Sequence, residues 1–425
     1  MGWVRKAFKM ILYKKLFLES LCNAIHGEKY NLSIGCDIEK ENVYKTSKEI
    51  KKEWHKVIKL AKDHRVLPLL VETLWDSSFG KSICNPYLLE AKATTKLQAQ
   101  RTADFLMLYD FLVGKGLSPV VMKGIIIRSL YPNPEQRTSV DEDLLISHEE
   151  IPLYHKVFLD YGLELVHKNE NINRTYEISY LDRNSGLYLE LHTRCFPPDS
   201  EVFALLNNFF SNSIRNKEYV TIYGKKIATL SKTDHLLFML CHIFKHFLYG
   251  GFGIRQVCDI GLFSSKYLSQ IDWVYIRNSC EKVNIERFSA AVFRIAERYF
   301  GFTMPSEFKH LEVDESNLLE DILTGGLYGV NDINRAHSST ITLEAVAKQK
   351  KGKKSFALFA AIFLPLRSME GKYPYLKNHT WLLPVAWCQR VFHYILRKDK
   401  NIDPLASVRI GNERVALLRE YGLIS

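Results

Sequence analysis

Between residues 117 and about 195 the apolar pattern of this chain departs from helical spacing and takes up the alternation of β-strands. Upstream, SKEIKKEWHKVIKLAKDHRVLPLLVETLW and LLEAKATTKLQAQRTADFLMLYDFLVGKG place apolar residues three and four apart, the second ending at Gly114-Lys115-Gly116, a helix stop. Downstream, from Thr233, HLLFMLCHIFKHFLYG, RQVCDIGLFSS and ERFSAAVFRIAERYFGF return to helical spacing. Inside the segment, Ser118 to Met122 is a short β-prone run, followed by Lys123-Gly124 and a helical stretch from Ile125 to Leu130. Two prolines in Tyr131-Pro132-Asn133-Pro134 break that helix. A strand over Val140 to Ile146, a helix over 150 to 164 and two strands, Thr175 to Tyr180 and Gly186 to His192, complete it. The pattern predicts an α+β fold in three parts: a helical region over 1–115, a core over 116–230 and a helical domain over 231–425.

A length of 425 residues agrees with two or three compact units. The net charge of +11 favours anionic partners, namely nucleotides, nucleic acid or an acidic membrane surface, and does not choose among them. Eight cysteines without a C-x-x-C pair predict reduced thiols in a cytoplasmic protein, not a zinc ribbon or a disulfide framework. The basic N-terminus has no continuous apolar region of the kind a secretion signal needs, and no run reaches the roughly 18 apolar residues of a membrane span.

The chemistry is concentrated in Arg137-Thr-Ser-Val-Asp141-Glu142-Asp143-Leu-Leu-Ile146. Residues two apart in a strand share a face, so Asp141 and Asp143 converge. Paired carboxylate oxygens suit Mg²⁺, which takes a few carboxylates together with water and substrate phosphates. On Tyr188-Leu-Glu190-Leu-His192, Glu190 faces away from Leu187, Leu189 and Leu191. It is either the third metal ligand or a residue on a solvated strand face, and patterning does not separate the two. His192 is read as a proton acceptor for the incoming nucleophile or as a polar neighbour of Glu190.

Lys123-Gly124 stands where a strand turns into a helix, a place where backbone and free N–H groups can approach a phosphate, with Lys123 or Arg137 adding charge. His242 and His246, four apart on a helix, share a face and could hold a metal or line a nucleotide pocket with Asp259. Ordinary packing is the competing reading. Arg255 is a candidate phosphate ligand. The basic run Lys348 to Lys354, next to the apolar Ser355 to Leu366, suggests either a membrane-surface contact or an exposed loop before a buried helix.

The run VVMKGIIIRSLYPNPEQRTSVDEDLLI resembles the core of the uncharacterised nucleotidyltransferase family related to the polymerase-beta superfamily. The matching positions are Lys123-Gly124, Leu130-Tyr131-Pro132, Arg137, and Asp141 with Asp143. Glu190-Leu191-His192, the His242–His246 helix and Asp259 extend the likeness over about residues 55 to 265, with echoes at Tyr373-Pro374 and over Leu382 to Arg390. Two positions depart from the pattern. Ile125 stands where the superfamily has serine or a second glycine. Glu142 replaces an apolar residue, which puts full burial of its strand in doubt.

The resemblance implies a bacterial enzyme with a small polymerase-beta-like mixed sheet embedded in helical N- and C-terminal parts. It would move a nucleoside monophosphate from a nucleoside triphosphate to an acceptor hydroxyl or phosphate. Asp141, Asp143 and Glu190 would be the metal ligands for Mg²⁺, or Mn²⁺ in its place. Lys123, Gly124, Arg137, Arg255 and His246 would bind the nucleotide. The acceptor stays open among a small molecule, a saccharide, a peptide and a protein. A catalytically inactive nucleotide-binding scaffold and an RNA-directed enzyme are the alternatives, although no RNA-reading motif is present.

Overall fold

The computed structural model describes residues 10–30, 47–167, 171–173, 175–329, 335, 339, 341–343, 345–347, 366–369, 373–387, 389 and 404–424. The basic run Lys348 to Lys354, the apolar stretch that follows it up to residue 365, and Arg390 lie outside the described residues.

The chain begins with α1 (Leu12–His26), α2 (Ser47–Asp63), α3 (Leu67–Leu74), α4 (Ser78–Cys84) and the long α5 (Leu88–Gly114). On α2, Trp54, Val57, Ile58 and Ala61 are buried at helical spacing, while Lys51, Lys52 and Lys59 are exposed. Pro68 occupies the first turn of α3, where no N–H is needed, and Ser77 Oγ caps α4 by accepting the Gly80 N–H at 2.8 Å.

The strands are β1 (Val120–Val121), β2 (Asp141–Leu145), β3 (Glu164–Leu165), β4 (Glu177–Leu181), β5 (Tyr188–His192), β6 (Glu218–Ile222) and β7 (Lys225–Thr229). They form a mixed seven-stranded sheet in the order β3-β4-β5-β2-β1-β7-β6. Pairing is parallel for β2 with β5 and for β1 with β7, and antiparallel elsewhere. Between β1 and β2 lies the short α6 (Ile125–Arg128), and α7 (Ile151–Tyr161) follows β2.

The β6–β7 hairpin is absent from the sequence reading. Its register, Ile222 opposite Lys225, leaves Tyr223-Gly224 as a two-residue turn with φ of +49° and +75°. Two positive φ values in such a loop match the right-handed twist of the strands, and glycine adopts them freely.

Alternation gives the central strands two different faces. Leu144, Ile146, Ile178, Tyr180, Leu189 and Leu191 pack with Phe105, Leu108 and Leu112 of α5 and with Tyr154 and Phe158 of α7 in one core. A second, larger core gathers α1 to α3 together with α8 (Lys232–Tyr249), α9 (Ile254–Lys266), α10 (Trp273–Lys282), α11 (Glu286–Phe300), α13 (Ser316–Gly325, after the short α12, Ser306–Lys309) and the end of the chain. The N-terminal helices therefore pack on the C-terminal ones: α1 lies against α11, and His26 Nε2 bonds the Phe300 carbonyl at 2.8 Å. In the glycine-containing stretch Thr324 to Gly329, Leu327 is buried.

Candidate active site

The parallel pairing of β2 with β5 puts Asp143 opposite Glu190, Leu145 opposite His192 and Asp141 opposite Tyr188. All four polar groups lie on the face turned away from the α5–α7 core. The β4 register adds Glu177 opposite His192. His192 Nε2 stands 3.1 Å from Asp143 Oδ1 and 3.5 Å from Glu190 Oε2, and its Nδ1 is 3.9 Å from Glu177 Oε2. One ligand atom each from Asp143, Glu190 and His192 lie within 4.8 Å of one another.

Asp141 is outside that compact group and is joined to it by Lys123. The Lys123 ammonium is 2.9 Å from Asp143 Oδ2 and 3.3 Å from Asp141 Oδ2. The sequence reading missed Glu177. Its signal was available, because Glu177 and Ser179 alternate with the apolar Ile178 and Tyr180.

The glycine beside Lys123 has a local reason. Gly124 has φ +60°, and a Cβ there would stand 1.8 Å from Glu142 Oε2. Glu142 is only 3% exposed. It accepts the Ile125 N–H at 2.8 Å and pairs with Arg128 at 2.5 Å, while Arg128 also donates to Thr102 Oγ1 and Ser139 Oγ. The doubt that Glu142 cast on burial of its strand is thus removed, since the charge is buried together with a partner. The first N–H of α6, expected to face a phosphate, is bonded to Glu142.

Arg137 is clamped by Asp259, with Nε to Oδ1 at 3.1 Å and Nη2 to Oδ2 at 2.7 Å, and the Tyr131 hydroxyl donates to the same carboxylate at 2.8 Å. Asp259 therefore belongs to this clamp. Among the described residues, Asp259 and the two histidines form no group compact enough to hold a metal. Arg255 donates to the Thr138 carbonyl. A cleft of about 520 Å³ is lined by Lys123, Gly124, Arg137, Asp141, His242, Arg255 and Asp259 among others. It brings one predicted metal ligand and four predicted nucleotide ligands to a common wall. His246 is not on that wall; it contacts His242 through the two Nε2 atoms, 3.2 Å apart.

The electrostatics divide the site. Burial, reinforced by Lys123, holds His242 well below its ordinary pKa and His246 down to about 3, so both rings are neutral. Burial also opposes charge on Asp143 and His192. On Asp143 it is outweighed by Lys123 and His192, which hold the carboxyl well below its usual range. On His192 it is outweighed by the hydrogen bonds to Asp143 and Glu190, which raise the pKa to about 9. Glu190, unlike Asp143, is shifted upward, mainly through burial.

Residues 51–301, more than half of the chain, match the family described as uncharacterised nucleotidyltransferase. This chain belongs to that family. No curated protein and no solved structure matches it. Membership makes it a transferase of nucleotidyl groups with a nucleotide as substrate. None of the described helices of this nucleotidyltransferase is long and apolar enough to cross a membrane.

The residues fit a divalent cation. Asp143 Oδ2 is buried and has no hydrogen-bond partner among the described residues; its near neighbour is the Lys123 ammonium. The carboxylates of Asp143 and Glu190, with the His192 ring beside them, converge as a group that could hold a metal ion.

Proposed function

We propose that this nucleotidyltransferase has a polymerase-beta-like core and uses Mg²⁺, or Mn²⁺, to transfer a nucleoside monophosphate from a nucleoside triphosphate to an acceptor hydroxyl or phosphate. The observation that carries this reading is the β2–β5 register, which sets Asp143 opposite Glu190 with Asp141 on the same face at the edge of a cation-lined cleft. Asp141, Asp143 and Glu190 would hold the cation. When bound there, it would neutralise the triphosphate and polarise the α-phosphorus toward an incoming oxygen.

The chain's own residues supply positioning and charge. Lys123, Arg137 and Arg255 on the cleft wall bind phosphate oxygens, Gly124 keeps the wall open, and His246 supports His242 beside them. The acceptor oxygen forms a bond to the α-phosphorus as the bridge to the β-phosphate breaks and pyrophosphate leaves. Glu190 completes the cation site and so favours release of the acceptor proton to solvent.

The test is incubation with triphosphates labelled at the α- or the γ-phosphate, Mg²⁺ and a cell lysate. Label should pass to an acceptor from the α position only and be absent with Asp143→Asn. Transfer from the γ position would mean phosphoryl transfer and would sink the reading.

A further inference from the structure

In this structure the ammonium of Lys123 lies between the carboxylates of Asp141 and Asp143. That is where a cation shared by the two aspartates would sit. Lys123 Nζ is also 3.4 Å from His242 Nε2, on the ring that lines the cleft and is held neutral. It therefore spans the boundary between the acidic cluster and the proposed phosphate wall. Its contact with Asp143 is electrostatic. Oδ2 lies 2.9 Å away. A lysine side chain is long and rotatable, with a point charge at its end, so it can trade one set of anions for another a few ångströms away.

We propose that Lys123 is a built-in occupant of the metal position. In the nucleotide-free protein its ammonium bridges Asp141 and Asp143 and keeps a divalent cation out. When a triphosphate enters the cleft, the ammonium swings onto phosphate oxygens, and the vacated carboxylates take the cation. Nucleotide and metal then bind as a coupled pair, each strengthening the other by the same factor. Isolated metal is held weakly, which guards the site against occupation without substrate. This inference rests on the metal-dependent reading above, and it makes a prediction opposite in sign to that of a merely structural lysine.

The experiment is Mn²⁺ binding, followed by the loss of the free-ion electron paramagnetic resonance signal, with and without a non-hydrolysable α,β-methylene nucleoside triphosphate. The neutral variant Lys123→Met should bind Mn²⁺ without nucleotide more tightly than the natural protein, on the order of ten-fold or more, because one unit charge has left a partly buried site. The nucleotide should tighten Mn²⁺ binding strongly in the natural protein and much less in the variant.

Lys123→Arg, which keeps the charge, should resist Mn²⁺ as the natural protein does. If Lys123→Met is poorly stable, its melting temperature supplies the same information. It should melt lower than the natural protein in chelator and gain more from Mn²⁺, since the unscreened carboxylates repel. Equal or weaker Mn²⁺ binding by Lys123→Met in the absence of nucleotide overturns the proposal while leaving the metal-dependent reading intact. Absence of Mn²⁺ binding by either protein, even with nucleotide, overturns both.

Discussion

Asp143 is the most constrained residue of the site, with His192 on one oxygen and Lys123 on the other. Asp143→Asn should reduce nucleotidyl transfer by at least about 10²-fold, and Glu190→Gln should act similarly, because each removes a charge aimed at the reacting centre without changing shape. A label-transfer assay beside a melting curve checks this; near-normal turnover in either variant would remove that residue from the machinery. Gly124 is constrained by sterics instead. Gly124→Ala combines a positive φ with a collision against the Glu142 carboxylate, and should cost about 1–3 kcal/mol in urea unfolding. A neutral outcome would mean that Glu142 can move aside. That Lys123-Gly124 stands between a strand and a helix was legible in the sequence. The reason for the glycine was not, because Glu142 comes from another strand.

At the scale of elements, the Arg137–Asp259 clamp ties the segment before β2 to α9, and both partners are buried. Breaking it from one side leaves a lone buried charge, so Asp259→Asn should destabilise by about 3–5 kcal/mol. The double variant Arg137→Met with Asp259→Leu should cost less than the single one. Denaturant midpoints compared in a double-mutant cycle test this, and strict additivity would dissolve the clamp. Asp259 was singled out in sequence with the histidines, and it lines the cleft together with His242. Its ion-pair partner lies 122 positions away along the chain, and helical spacing around His242 carries no information about it. The β6–β7 hairpin escaped for a different reason: its turn is Tyr223-Gly224, and tyrosine at positive φ is not a residue that announces a tight turn.

For the whole molecule, two deeply buried histidines set an acid limit. His64 stacks with Phe17 and accepts the Ile254 N–H through Nδ1, and His235 contacts Thr229 Oγ1 beside the sheet. Burial lowers their pKa values to about 4 and about 3, from an ordinary 6.5. As pH falls below 6.5 the unfolded chain takes up these protons first. The stabilisation is therefore complete above pH 6.5 and is lost on descent to about 4 for His64 and about 3 for His235. Each should contribute a slope of up to about 1.4 kcal/mol per pH unit. Urea unfolding from neutral pH downward measures it, and a flat profile between pH 6.5 and 4 would refute the assignment.

The sequence by itself determined which residues alternate and which repeat at helical spacing. That was enough for an α+β chain with helical flanks, for strands near 141–145 and 188–192, and for a common face shared by Asp141 and Asp143. Periodicity is a local property, and these are local facts. Only the tertiary structure decided that β5 lies parallel to β2 in the register that sets Glu190 opposite Asp143, that β4 delivers Glu177 to His192, and that Lys123 lies between the aspartates. Those choices depend on which strand buries its apolar face against α5 and α7, and so on packing between segments many residues apart in the chain.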